Sequence, residues 1–147
     1  MVRIHKENTQ QLYEENFSRI RMLLSDLQFF EHITLSSDNH AVQICVDVEE
    51  RTPYTMLISF SSHYAAHSDH MPLTKLQVRL YFDAKVAEVL TVQGHRRIRP
   101  HYGYPNKNMY LPDEKKQGNE LLSELLNFCV RNNYKKSYLS QSVEINN

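Results

Sequence analysis

Apolar residues recur early in the chain at three- and four-residue steps. Tyr13, Phe17, Ile20, Leu24 and Leu27 fall on one face of a helix. Asn8, with Gln11 three residues on, supplies a cap and its reciprocal partner, which predicts a helix from Asn8 to about Phe29. From Ala41 the period becomes two. Val42, Ile44, Val46 and Val48 alternate with Gln43, Cys45 and Asp47, as a half-buried strand requires. A turn over residues 49–53 then leads into a second strand over 54–61, because Pro53 belongs at a strand boundary.

Residues 62–74 are polar and without period, which predicts a long loop. Leu76, Val78, Leu80 and Phe82 resume the alternation, and residues 86–92 return beside them. A two-residue loop at Asp83 and Ala84, or a four-residue loop over 82–85, gives the same antiparallel register and sets Arg79 opposite Glu88. A three-residue loop would shift every partner by one and break the pair. Residues 95–101 can form a further strand with Ile98 inward and His95, Arg97, Arg99 and His101 on the other face.

Pro112 and Asp113 open a last helix with an apolar stripe at Leu121, Leu122, Leu125, Leu126 and Cys129, and Asn132 and Asn133 stop it. Gly118 costs this helix about 1 kcal/mol relative to Ala. The expected architecture is α+β: an antiparallel sheet of four or five strands with an N-terminal and a C-terminal helix packed on one face. Residues 1–136 form a single domain on this view, and residues 137–147 a frayed tail.

Composition narrows the class without naming a function. Lys and Arg total 17, as do Asp and Glu, which argues against coating nucleic acid by bulk charge but leaves room for a local basic patch. Cys45 and Cys129 are far apart and lack metal or redox spacing, so buried thiols in a reducing compartment are expected. No apolar run is long enough to cross a bilayer and the N-terminus lacks the apolar core of a secretory signal, which predicts a cytoplasmic protein without membrane attachment.

Several stretches together carry a family resemblance. Asn16-Phe17-Ser18 with Arg21, Tyr54-Thr55, Val78-Arg79-Leu80-Tyr81 with Asp83-Ala84, and Val86-Ala87-Glu88-Val89 are followed by Tyr102, Tyr104-Pro105-Asn106-Lys107, Asp113-Glu114-Lys115, Gln117, Asn119 and Cys129. In order and spacing they resemble the YqiB-like proteins of proteobacteria. The chain departs from that pattern at Leu125, where a tryptophan is expected, and at His101 and Gly103, where an arginine and an aspartate are expected. The resemblance implies a small cytoplasmic domain of unknown function and brings no catalytic residue, cofactor or ligand with it.

The sharpest candidate chemistry lies after the last strand pair. Arg97, Arg99 and Lys107, with Arg96 beside them, can contact phosphates, while Tyr102 and Tyr104 offer faces for stacking and Asn106, after Pro105, marks a turn that follows them. A solvated edge strand guarded by charge is the plain alternative. Arg79 and Glu88 read as a structural cross-strand ion pair. His63, His67, Asp69 and His70 resemble metal ligands by type, yet a polar loop explains them as well, so no metal site is assigned. Polar groups from Asp113 to Asn119 could close over an anion or simply favour the helix dipole. No catalytic motif and no cofactor motif is present.

The leading expectation is a binding or regulatory module that recognises a nucleotide or RNA through Arg97, Arg99, Tyr102, Tyr104, Asn106 and Lys107. A protein–protein module or homodimer is one alternative. A phosphoester- or nucleotide-processing enzyme using Glu88, Asp113 or Glu114 is the other.

Overall fold

The computed structural model describes residues 2–64, 74–93 and 112–137, with side chains described for 9–64, 74–93 and 115–137. Helix α1 spans Val2–Leu23, and a single 3-10 turn follows at Leu27–Phe29. Five strands come next: β1 His32–Ser37, β2 His40–Arg51, β3 Thr55–Tyr64, β4 Thr74–Tyr81 and β5 Val86–Gln93. Helix α2 covers Pro112–Arg131, and a short β6 at Lys135–Lys136 ends the described chain. All pairings are antiparallel, in the order β5-β4-β3-β2-β1-β6.

The α+β class and the antiparallel sheet match expectation, but the sheet has six strands among the described residues rather than four or five, and the expected strand over residues 95–101 lies outside them. One addition, β1, carries only Ile33 and Leu35 inward, too short an alternation to stand out. The two-residue turn at Asp38 and Asn39, with Ser37 opposite His40, was its available signal. The other, β6, has no apolar pattern and exists because the chain after α2 returns to β1.

The first helix also differs at both ends. It begins at Val2, since residues 2–7 contain no glycine or proline to break it, and it stops at Leu23. Beyond that, Leu27 donates to the Leu24 carbonyl and Phe29 to that of Asp26, so the chain tightens to three-residue steps around Ser25 and Asp26. Leu24 and Leu27 still reach the interior.

Alternation along the strands builds the core. Ile33, Leu35, Ile44, Val46, Met56, Ile58, Phe60, Leu76, Val78, Leu80, Ala87 and Val89 are buried, and they join Phe17, Ile20, Leu122, Leu126 and Cys129 of the helices, with Leu24 just past α1, in one cluster. The expected register between β4 and β5 is present, with Arg79 opposite Glu88 and a four-residue loop closed by Lys85 N–H donating to the Tyr81 carbonyl. At the end of α2, Asn133 adopts φ 57° while Tyr134 N–H donates to the Cys129 carbonyl, the left-handed cap anticipated for these asparagines. Buried Tyr134 then donates its hydroxyl to the Val42 carbonyl at 2.6 Å.

Candidate functional site

Arg97, Arg99, Tyr102, Tyr104, Asn106 and Lys107 lie outside the described residues, as do His67, Asp69 and His70. His63 is described and belongs to β3, which runs on through the start of the expected loop; its Nε2 lies 3.2 Å from Ser61 Oγ. Among the described residues no group of three or more His, Cys, Asp or Glu could hold a metal ion.

The Arg79–Glu88 pair needs correction. The two residues face each other across β4 and β5, yet each finds another partner. Glu88 accepts the Lys115 ammonium from α2 and the Tyr81 hydroxyl, the latter at 3.1 Å. Arg79 instead reaches over Leu57 to Glu50, 3.8 Å away. Since Glu88 is already engaged, it is poorly placed to act as the free base of an enzyme. Burial, and then the Glu88 carboxylate, raise Tyr81 and Tyr13 above the ordinary phenol value, while the Glu88 hydrogen bond raises Lys115.

Of the polar groups expected to close over an anion, the side chains of Asp113 and Glu114 lie outside the described residues, and Asn119 serves the fold instead. Asn119, fully buried, accepts the Val89 N–H at 2.9 Å and donates to the Lys115 carbonyl at 2.8 Å. Asn16 of α1, also fully buried, donates to the Asn119 carbonyl at 3.1 Å. Gly118, next to it in the chain, is also buried.

A chain of polar contacts also crosses β1 and β2. His32 Nδ1 lies 2.5 Å from Asp47 Oδ1, His32 Nε2 3.2 Å from Thr34 Oγ1, and Thr34 Oγ1 4.0 Å from Cys45 Sγ. It resembles an acid–base–nucleophile series, but burial raises the Cys45 thiol above its ordinary value. Moreover, β2 lies between two strands, so its N–H groups serve the ladders and cannot stabilise an oxyanion. The His32–Asp47 and Thr34–Cys45 contacts cross between the strands and the His32–Thr34 contact runs along β1, so this is a hydrogen-bonded row on the sheet.

Sequence reasoning missed a cleft of about 810 Å3 at one end of the molecule. One wall is α1, with Phe17 and Arg21; the others are the β2–β3 turn, with Arg51 and Thr52, and the β4–β5 turn, with Phe82 and Lys85. No aspartate or glutamate stands among its described lining residues. The two turns are joined where Phe82 N–H donates to the Tyr54 carbonyl at 2.9 Å. Thr52 Oγ1 holds the first turn by accepting the Thr55 N–H at 2.9 Å.

The cations of this cleft are held differently. Arg21 places its guanidinium carbon 6.0 Å from the Phe17 ring centre and 5.9 Å from that of Phe82, and these rings meet edge to face at 6.0 Å. Arg51 donates to the Phe30 carbonyl at 2.5 Å and lies 3.7 Å from Glu31. Lys85 is exposed and has φ 60°, a conformation that favours glycine or asparagine. The signal was scattered over positions 21, 51 and 85, and only folding unites them.

No helix among the described residues is long and apolar enough to cross a membrane. No solved structure matches the chain. The chain is 37% identical over 119 residues to the uncharacterized protein YqiB of Escherichia coli K12, covering 81% of this chain and 84% of the relative. The YqiB protein of Escherichia coli O157:H7 matches to the same extent. Residues 19–135 match the model of a family described as protein of unknown function, DUF1249. The expected family is thereby reached, and this chain belongs to DUF1249, with the YqiB proteins as relatives.

Proposed function

We propose that the protein is a small cytoplasmic binding module for an anionic ligand, received in the cleft between α1 and the two turns. The observation that carries this is the convergence of Arg21, Arg51 and Lys85 on one cleft with no carboxylate among its described lining residues. Glu31 offsets the charge of Arg51 from outside the lining, at 3.7 Å, whereas Arg21 and Lys85 share a cleft with no carboxylate in its described lining, and a bound anion relieves their mutual repulsion. No described ion pair engages Arg21 or Lys85. We take both helices to cover the sheet face of Ile58 and Val78, since their apolar side chains share that cluster, and the cleft to open at the end of this layer. Free Cys45 and Cys129 suit a reducing cytoplasm.

Arg97, Arg99, Tyr102, Tyr104, Asn106 and Lys107 form a second surface of the same chemistry in this proposal. Thermal shift of the full chain with phosphate, pyrophosphate, nucleotides and short RNA, at low and moderate salt, tests it. One anion class should raise the melting temperature, less so at higher salt, and the rise should vanish in the Arg21→Ala, Lys85→Gly double variant. An equal rise in that variant, lost instead in Arg97→Ala with Arg99→Ala, would move the site to the second surface. No shift with any anion would sink the proposal.

A further inference from the structure

We propose, resting on the anion-binding reading of the cleft, that its ligand is a mononucleotide, with the phosphate taken by Arg51 and Lys85 and the base laid against Arg21 and Phe82. Size is the first reason. A lone phosphate would leave most of about 810 Å3 unfilled, whereas this volume falls within the range of about 300–1,000 Å3 that whole small molecules occupy.

The composition of the wall is the second reason. Arg21 is held 5.9 Å from the Phe82 ring centre and 6.0 Å from that of Phe17, so a guanidinium and two rings meet where the α1 wall joins the β4–β5 turn. Guanidinium planes and aromatic rings both stack on bases. Arg51 and Lys85 come from the two turns, and the Phe82–Tyr54 hydrogen bond sets those turns side by side. A polynucleotide calls for a track of cations along its backbone, whereas these three converge on one cleft of a chain with zero formal net charge.

Lys85 adds an independent observation. It holds φ 60° at a turn position where glycine would be free of strain, so its side chain can be removed without cost to the turn. Function and fold are therefore separable at this residue.

Calorimetric titration of the full chain with AMP, GMP, ribose 5-phosphate, adenosine and a short oligoribonucleotide, in wild type, Lys85→Gly and Arg21→Ala, tests the inference. A nucleoside monophosphate should bind about 10-fold tighter than ribose 5-phosphate, the increment that one stacked base supplies, and Arg21→Ala should erase that preference. Lys85→Gly should melt no lower than wild type yet bind about 5-fold more weakly, as loss of one exposed ion-pair contact implies. Equal affinity for ribose 5-phosphate and AMP would overturn the base slot while leaving anion binding standing. Tighter binding of the oligoribonucleotide than of either mononucleotide would replace this ligand class with RNA. Failure of every phosphate compound to bind, or unchanged affinity in both variants, would remove the cleft as the site.

Discussion

Asn119 accepts the backbone N–H of Val89 at 2.9 Å and so satisfies a donor that an edge strand would otherwise leave unpaired. Among the described residues β5 is the last strand of the sheet, and here Asn119 of α2 supplies an acceptor to its backbone. That one backbone donor is thereby taken up and not available for pairing. Replacing Asn119 with Ala leaves a buried N–H without its acceptor, which should cost about 1–3 kcal/mol in urea denaturation. A loss below about 0.5 kcal/mol would show that water reaches the edge, since only a solvated group tolerates the change so well.

Leu126 anchors the other helix contact. It is 1% exposed and belongs to the common cluster, so Leu126→Ala should destabilise the protein by about 2–5 kcal/mol. Exposed Glu124 on the same helix, changed to Ala, should alter stability by no more than about 0.5 kcal/mol. Equal effects of the two substitutions in a chemical melt would contradict the placement of this stripe.

Lys85 should behave in the opposite sense. Lys85→Gly relieves a left-handed residue and should stabilise the fold by about 0.5–1 kcal/mol. A lowered melting temperature would mean that the lysine side chain makes stabilising contacts in the folded protein.

Glu88 and Lys115 form a partly exposed ion pair, their side chains 20% and 40% accessible. A double-mutant cycle on Glu88→Gln and Lys115→Met should give a coupling of about 0.5–1 kcal/mol that weakens with salt. A coupling insensitive to salt would point to packing as its source. Because the folded pKa of Lys115 is raised, the contribution of the pair is full below the unfolded lysine value and is lost as pH rises through the folded one.

Cys129 gives a second pH dependence. Burial pushes its thiol up from 9.0 to about 12. Between these values the unfolded chain has released the proton and the folded chain still holds it. Stability therefore falls as pH rises through this window, by up to about 1.4 kcal/mol per pH unit. Tyr81 and Lys115, both raised, act in the same direction, so the comparison must be with Cys129→Ala. The stability advantage of wild type over that variant should narrow from about pH 8 to about pH 10.5. A constant difference would show that the thiol is not shielded from water.

The local pattern was enough for the main elements. Periods of 3.6 and 2 identified α1, α2 and β2 to β5 because each element turns one face to the core, and that face is written in consecutive residues. Register was readable at β4–β5, where loop lengths of two and four residues both place Arg79 opposite Glu88. The ion pair at that register was not readable, because Lys115, a distant residue, takes Glu88 and leaves Arg79 to Glu50.

Distance along the chain marks the same division in every case. β1, with two inward residues, and β6, with none, were fixed by neighbours rather than by their own pattern. Asn16 and Asn119 look like ordinary polar helix residues until the fold buries them against each other and Val89. Arg21, Arg51 and Lys85 make a site only after a helix and two turns meet, since a charge carries no periodic signal and its partners are chosen by proximity in space. Class, element type and one register were determined by the sequence alone; the Asn119 contact to Val89, ion-pair partners and the cationic cleft were decided by tertiary structure, where residues far apart in the chain compete for the same contacts.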